Sequence, residues 1–204
     1  MGGFLTVERR ERIAILTMAR PESMNAIATH ADCDDIVATL EALGQDRSVS
    51  AIILTGSGRA FSAGGDLKAM QARTGIGVLD QPDSTRANYR RGVQRAIRAL
   101  MDCEIPMIAA VNGHAIGLGC DIACTCDIRI ASESASFACS FIKVGIVPGD
   151  GGAWILQRIL GYARAAELFL TGDRFGAQQA KDYGLVSEVV PDDALLDRAM
   201  AIAE

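Results

Sequence analysis

The chain is short of several things that would narrow its class. It has no excess of positive charge: 20 Lys and Arg against 25 Asp and Glu leave a formal net charge of −5, which excludes a general nucleic-acid binder. No apolar run approaches the ~20 residues of a membrane-spanning helix, and the first residues, Met-Gly-Gly-Phe-Leu-Thr-Val-Glu-Arg-Arg, lack the apolar core of a secretory signal. A cytoplasmic protein that does not engage membranes is the resulting expectation. There are only two histidines and six scattered cysteines in 204 residues. That is no disulfide framework. Cys120 and Cys124 would share a helix face but Cys126 would not, so the three read as packed thiols and no metal site is expected. The Gly56-Ser57-Gly58 triplet lacks the strand–helix context of a dinucleotide fingerprint. No low-complexity segment or linker divides the chain, and residues 1–204 are expected to form a single domain.

Apolar residues and glycine are plentiful, at 50% and 21 residues. Alternation at 4–8 and 13–18 predicts a hairpin. A helical period runs over 31–44, and short helices or strands follow at 51–54, 66–71, 107–111, 128–130 and 136–137. Residues 74–84, with no clear period, read as a loop at the surface or the pocket rim. An arginine-rich amphipathic helix is predicted over 87–101. Helices at 149–159, 163–170, 177–183 and 193–203, with a strand at 186–190, complete an alternation that argues for α/β layering.

Two segments carry chemistry. After the apolar run 107–111, Gly113-His114-Ala115-Ile116-Gly117-Leu118-Gly119-Cys120-Asp121 reads as a glycine-rich turn into a helix start. Unpaired N–H groups and a partial positive charge there can stabilise an anion. Asp121 follows Leu118 by three residues, on roughly the same helical face. The second segment, Phe61-Ser62-Ala63-Gly64-Gly65-Asp66, follows another buried strand, with Asp66 placed to cap the next helix. Each segment has a purely structural reading as a tight corner. Together they can aim two N–H groups at one oxygen, the geometry of an oxyanion hole, in which one donor is worth ~3–4 kcal/mol.

These segments, with Arg20-Pro21, Asn25-Ala26, the stretches 106–127 and 145–152, Leu170-Thr171-Gly172-Asp173 and 180–186, resemble the enoyl-CoA hydratase/isomerase (crotonase) family over nearly the whole chain. The resemblance implies an α/β spiral of repeated ββα units. It implies an enzyme acting on an acyl-CoA thioester, with no cofactor beyond the coenzyme A of the substrate. The oxyanion hole maps to the N–H groups of Gly65 and Leu118, where Leu118 replaces a glycine often found there. Its isobutyl group must then point away from the thioester. Contacts to the acyl-CoA map to Ala26, Ala63, Gly65, Asp66, Leu67, Lys68, Leu118 and Phe141. Of the two glutamates usual in the family's hydratases, the first position holds Asp121 and the second Phe141, which cannot exchange a proton. Asp150 has two readings: a cap for the helix after it, or an acid/base in an apolar pocket that raises its pKa. His30 reads as a residue that caps or precedes a helix, His114 as a structural histidine within reach of the pocket, and Tyr89 and Arg90 as candidates for the acyl end.

The expected activity is enoyl-CoA hydration with Asp121 as principal acid/base and Asp150 assisting. The alternatives are Δ3,Δ2-enoyl-CoA isomerisation and thioester binding without efficient catalysis. Family members form trimers, often paired into hexamers, so a homo-oligomer is expected. They also continue for several tens of residues past the point where this chain ends, so 193–204 reads as the start of a truncated C-terminal helical region.

Overall fold

The computed structural model describes residues 3–77 and 79–204. Strands β1 (Leu5–Arg10) and β2 (Ile13–Met18) form the expected antiparallel hairpin. Helix α1 (His30–Gln45) follows, and then the chain repeats one pattern. A strand in a large sheet leads to a short strand in a second sheet, and helices return it. Strands β3 (Ala51–Gly56) and β4 (Ala60–Ser62) precede α2 (Leu67–Gln71), α3 (Pro82–Arg91) and α4 (Val93–Met101). Strands β5 (Met107–Val111) and β6 (His114–Ile116) precede α5 (Leu118–Thr125). Strands β7 (Ile128–Ser132) and β8 (Ser136–Ala138) precede α6 (Gly152–Leu160) and α7 (Tyr162–Thr171). The chain closes with β9 (Phe175–Gly176), α8 (Ala177–Asp182), β10 (Glu188–Val190) and α9 (Leu195–Ala203). The large sheet has the order β1-β2-β3-β5-β7-β10, parallel from β2 onward. The second runs β4-β6-β8-β9, with only β9 antiparallel. This is the spiral of ββα units.

Alternation along the large sheet divides the core. Ala14, Leu16, Ile52, Leu54, Ala109 and Val111 face inward to the main cluster. Ile13, Ile15, Ile53, Ile108 and Ile130 face the other way and are covered by Leu195 and Ala199 of α9. Both faces of the parallel sheet are thus buried, as parallel sheets require.

Three expectations change. The single helix over 87–101 is two helices that break at Gly92, whose backbone leaves the helical region (φ −101°, ψ −106°). A Cβ there would stand 3.1 Å from the His30 ring and 3.2 Å from Ile76 Cγ2, so the break lets two other elements approach. The loop expected over 74–84 is already helical from Pro82, a residue suited to a first helical turn; Val78 within it lies outside the described residues. His30 does not cap α1. Thr29 does, in a capping box with Asp32, and His30 Nε2 meets Asn88 Oδ1 at 2.6 Å. The Asn88 amide donates to the carbonyls of Gly75 (2.8 Å) and Gly77 (2.9 Å), tying the loop between α2 and α3 to the start of α1.

Candidate active site

The first of the two glycine segments is oriented by one bridge. Ile27 N–H donates to Gly64 O (2.8 Å) and Asp66 N–H donates to Ile27 O (3.1 Å). In a parallel bridge the intervening residue turns its own N–H the other way, so Gly65 directs its donor away from Ile27 and into the cleft it lines. Asp66 caps α2 as expected, accepting from Lys68 N (2.8 Å) and Ala69 N (3.0 Å). The second segment is set by Gly117, which needs its positive φ of 53°. Its N–H donates to Ala138 O (2.8 Å), and its carbonyl accepts from Asp121 N (3.0 Å). Leu118 is therefore the first residue of α5, and its N–H is one of the donors that helix geometry leaves unused.

The two segments lie backbone against backbone. A Cβ on Gly64 would lie 3.1 Å from Leu118 N, and one on Gly119 would overlap Ser62 O. Buried polar groups hold this register. Ser62 Oγ donates to Asn25 O (2.8 Å) and accepts from Gly64 N–H (3.1 Å), while the fully buried Asn25 donates to Ala60 O (2.8 Å). Asn25, Ser62 and Gly119 had no assigned role in the sequence reading; a polar pair inside an otherwise apolar strand-and-loop stretch was the available signal.

Gly65 and Leu118 both line one cleft. Its walls are mostly apolar: Ala63, Leu67, Met70, Ile76, Ile116, Phe141 and Ile146. Of the residues expected to contact the acyl-CoA, Ala63, Gly65, Leu67, Leu118 and Phe141 line it. Ala26, Asp66 and Lys68 do not: Ala26 is buried behind the loop, the Asp66 carboxylate is taken up by its cap, and Lys68 is exposed on α2. The Leu118 side chain is buried in the main core. Phe141 packs against Phe169, with ring centroids 6.1 Å apart. Tyr89 lines the cleft, Arg90 is exposed, and His114 is held by Ser136 Oγ (2.9 Å) outside it.

The carboxyls are arranged differently from the helix-cap reading. The residue capping α6 is Gly151, with no side-chain cap, so Asp150 is not an N-cap. It turns inward and meets Asp121. Asp150 is 4% exposed and Asp121 1%. Both Asp121 oxygens and Asp150 Oδ1 find no donor among the described residues. The two carboxyls lie against each other in a site without other donors, and like charges so placed favour a shared proton. Burial, then the charge of Asp150 and the hydrogen bond given to it, push Asp121 well above the usual carboxylate range. Burial also raises Asp150, against the hydrogen bond it accepts from Asp121. Both directions favour a proton held on the pair, more strongly on Asp121 than on Asp150. Asp150 lines the cleft; Asp121 stands behind it. Gly152 makes room for this, since a Cβ there would overlap the Asp121 carboxyl. The Tyr89 phenol beside the pair is pushed up by burial and by the Asp150 charge.

A stability consequence follows. The folded Asp121 keeps its proton above the pH at which an unfolded aspartate, with a pKa of about 3.9, loses it. Unfolding then releases a proton, and the contribution of this group to stability falls as pH rises. Asp121→Asn removes that loss while retaining a hydrogen-bond donor. Its melting temperature is expected to gain on the wild type progressively as pH rises above about 4. Parallel thermal melts across that range check this, and a constant difference would count against the shared proton.

Gly65, Leu118 and Asp150 thus line one mostly apolar cleft, with Asp121 buried behind it. The family model described as enoyl-CoA hydratase/isomerase matches residues 8–204. A probable enoyl-CoA hydratase of Rhizobium meliloti (strain 1021) is 42% identical over 200 residues, covering 98% of this chain and 74% of that one. The crystal structure of an enoyl-CoA hydratase from Bacillus anthracis superposes with a TM-score of 0.89 at 33% identity, over 98% of this chain and 75% of that one. A monofunctional enoyl-CoA isomerase from M. smegmatis gives 0.80 at 35% identity, over 99% and 84%. The chain belongs to the enoyl-CoA hydratase/isomerase family.

Proposed function

We propose that the protein is an enoyl-CoA hydratase whose proton chemistry runs through the Asp121–Asp150 pair. The observation that carries this is a pair of buried carboxyls, Asp121 and Asp150, at the wall of the cleft that Gly65 and Leu118 also line. The thioester oxygen accepts from those two donors. The Asp150 carboxylate takes a proton from water as the water oxygen bonds to C3, and the electron pair of the C2–C3 double bond moves toward the thioester oxygen. The pair, now holding two protons, returns one to C2. The product is a 3-hydroxyacyl-CoA, and the pair is restored. Ala63, Gly65 and Leu67 are assigned to the coenzyme A moiety in this reading, and Phe141 to the acyl wall. A homo-oligomer belongs to the same reading, supported by the exposed apolar residues Val147, Tyr162 and Leu170 around one surface groove.

A second reading has its own support. With Phe141 where the family's second glutamate stands and Asp121 behind the wall, Asp150 is the one carboxyl at the cleft surface. A single base can take and return a proton in a 1,3 shift, and the M. smegmatis relative is an isomerase by name. Incubation with crotonyl-CoA and a 3-enoyl-CoA in water labelled with heavy oxygen and deuterium separates the two. Heavy oxygen in a 3-hydroxyacyl-CoA is the expected product. Double-bond migration with deuterium exchange alone would establish the isomerase, and binding with no change of either substrate would leave a thioester-binding protein.

A further inference from the structure

Asp150 also borders a second groove. It lies behind Asp150, between α4 and α6, with a volume of about 830 Å3, bordered by Gln94, Met101, Pro148, Ala153 and Trp154. Among the described residues, Asp150 is the only one that lines both this groove and the acyl cleft. In the turn between the two, Gly149-Asp150-Gly151-Gly152, only Asp150 carries a side chain. Gln94 Nε2 donates to Gly149 O (2.7 Å), pinning this turn to α4. Gly151 adopts φ +114°, and a Cβ there would lie 3.3 Å from Ile97 Cγ2. The outer rim is open: Trp154 is half exposed, with the Arg158 guanidinium stacked 3.6 Å from its ring.

We propose that this groove is a rear entrance through which water and protons reach the Asp121–Asp150 pair while an acyl thioester fills the front cleft. The proposal rests on the role given to Asp150 above. A bound acyl chain occupies the apolar front, so a proton taken up by the pair can leave there only by returning to substrate. Both Asp121 oxygens and Asp150 Oδ1 are buried without a donor among the described residues, so an enclosed water drawn in from the rear is the partner left to them.

The test fills the groove without touching the cleft. Ala153 is exposed in the first turn of α6 and lines the groove but not the acyl cleft, so Ala153→Trp plugs it from one bank. The reverse reaction is followed with 3-hydroxybutyryl-CoA in deuterated water. Wild type is expected to return part of the substrate with deuterium at C2. Ala153→Trp is expected to cut that exchange about tenfold relative to dehydration, with kcat lowered and KM little changed. Butyryl-CoA affinity equal to wild type shows the front cleft intact; if it is lost, Met101→Trp repeats the test from the α4 bank. Wild-type exchange in a plugged variant that binds butyryl-CoA overturns the rear entrance alone. A wild-type protein that neither hydrates nor exchanges overturns the hydratase reading instead.

Discussion

Asp150→Asn is expected to lower kcat for enoyl-CoA hydration by about 10²–10⁴-fold, the range lost with a positioned acid/base. The substitution keeps shape and burial but removes the group that accepts the proton from water. Because Asp150 is not one of the two groups that hold the thioester oxygen in the proposed reading, KM for the thioester should change far less. Asp121→Asn should cost less, since Asp121 meets substrate only through its partner. The double variant should be no worse than Asp150→Asn, as groups acting as a unit are not additive. The pH profile adds a signature. Activity requires one proton on the pair, so the wild-type rate should rise as Asp150 ionises and fall as Asp121 loses its proton at higher pH. Asp121→Asn should abolish the fall and keep the rise. Steady-state kinetics of the three variants with crotonyl-CoA decide this; a larger loss in Asp121→Asn than in Asp150→Asn would make Asp121 the group that touches substrate.

The contrast between these carboxyls shows where sequence reasoning stops. Much was readable because it is local. Alternation over 13–18 marks β2, the apolar run 51–54 marks β3 as a buried strand, and glycines at 64, 65 and 117 mark backbone that must come close to something. The Asp66 cap is likewise a matter between neighbours in the chain. Asp150 before two glycines obeys the same capping rule, yet the rule loses there, because Asp121 arrives from α5 and a carboxyl pair forms that no local pattern records. Gly92 is similar: the periodicity of 87–101 runs through it, and only the His30 ring and Ile76, distant in sequence, explain the break. Strand β6 was missed because His114–Ile116 sits between glycines and is too short to show a period. In each case the deciding contact joins segments whose meeting depends on the spiral itself.

Leu118→Pro is expected to lower kcat by about 10²–10³-fold relative to Leu118→Ala, the cost of one oxyanion donor. Proline removes the N–H and little else that this position needs. It suits the first turn of a helix, where the N–H takes no part in the helical ladder. The preceding Gly117, at φ 53° and ψ −120°, is outside the right-handed helical region that proline forbids to its predecessor. The buried leucine side chain is lost in both variants, at a cost of about 2–5 kcal/mol for the alanine change, so their ratio isolates the donor. Circular dichroism establishes that both retain α5 and the fold, and the affinity for butyryl-CoA, whose carbonyl carries little negative charge, should differ much less than kcat. Equal turnover in the two folded variants would mean that the thioester oxygen draws nothing from α5, leaving Gly65 to stabilise the enolate with a partner elsewhere in the cleft.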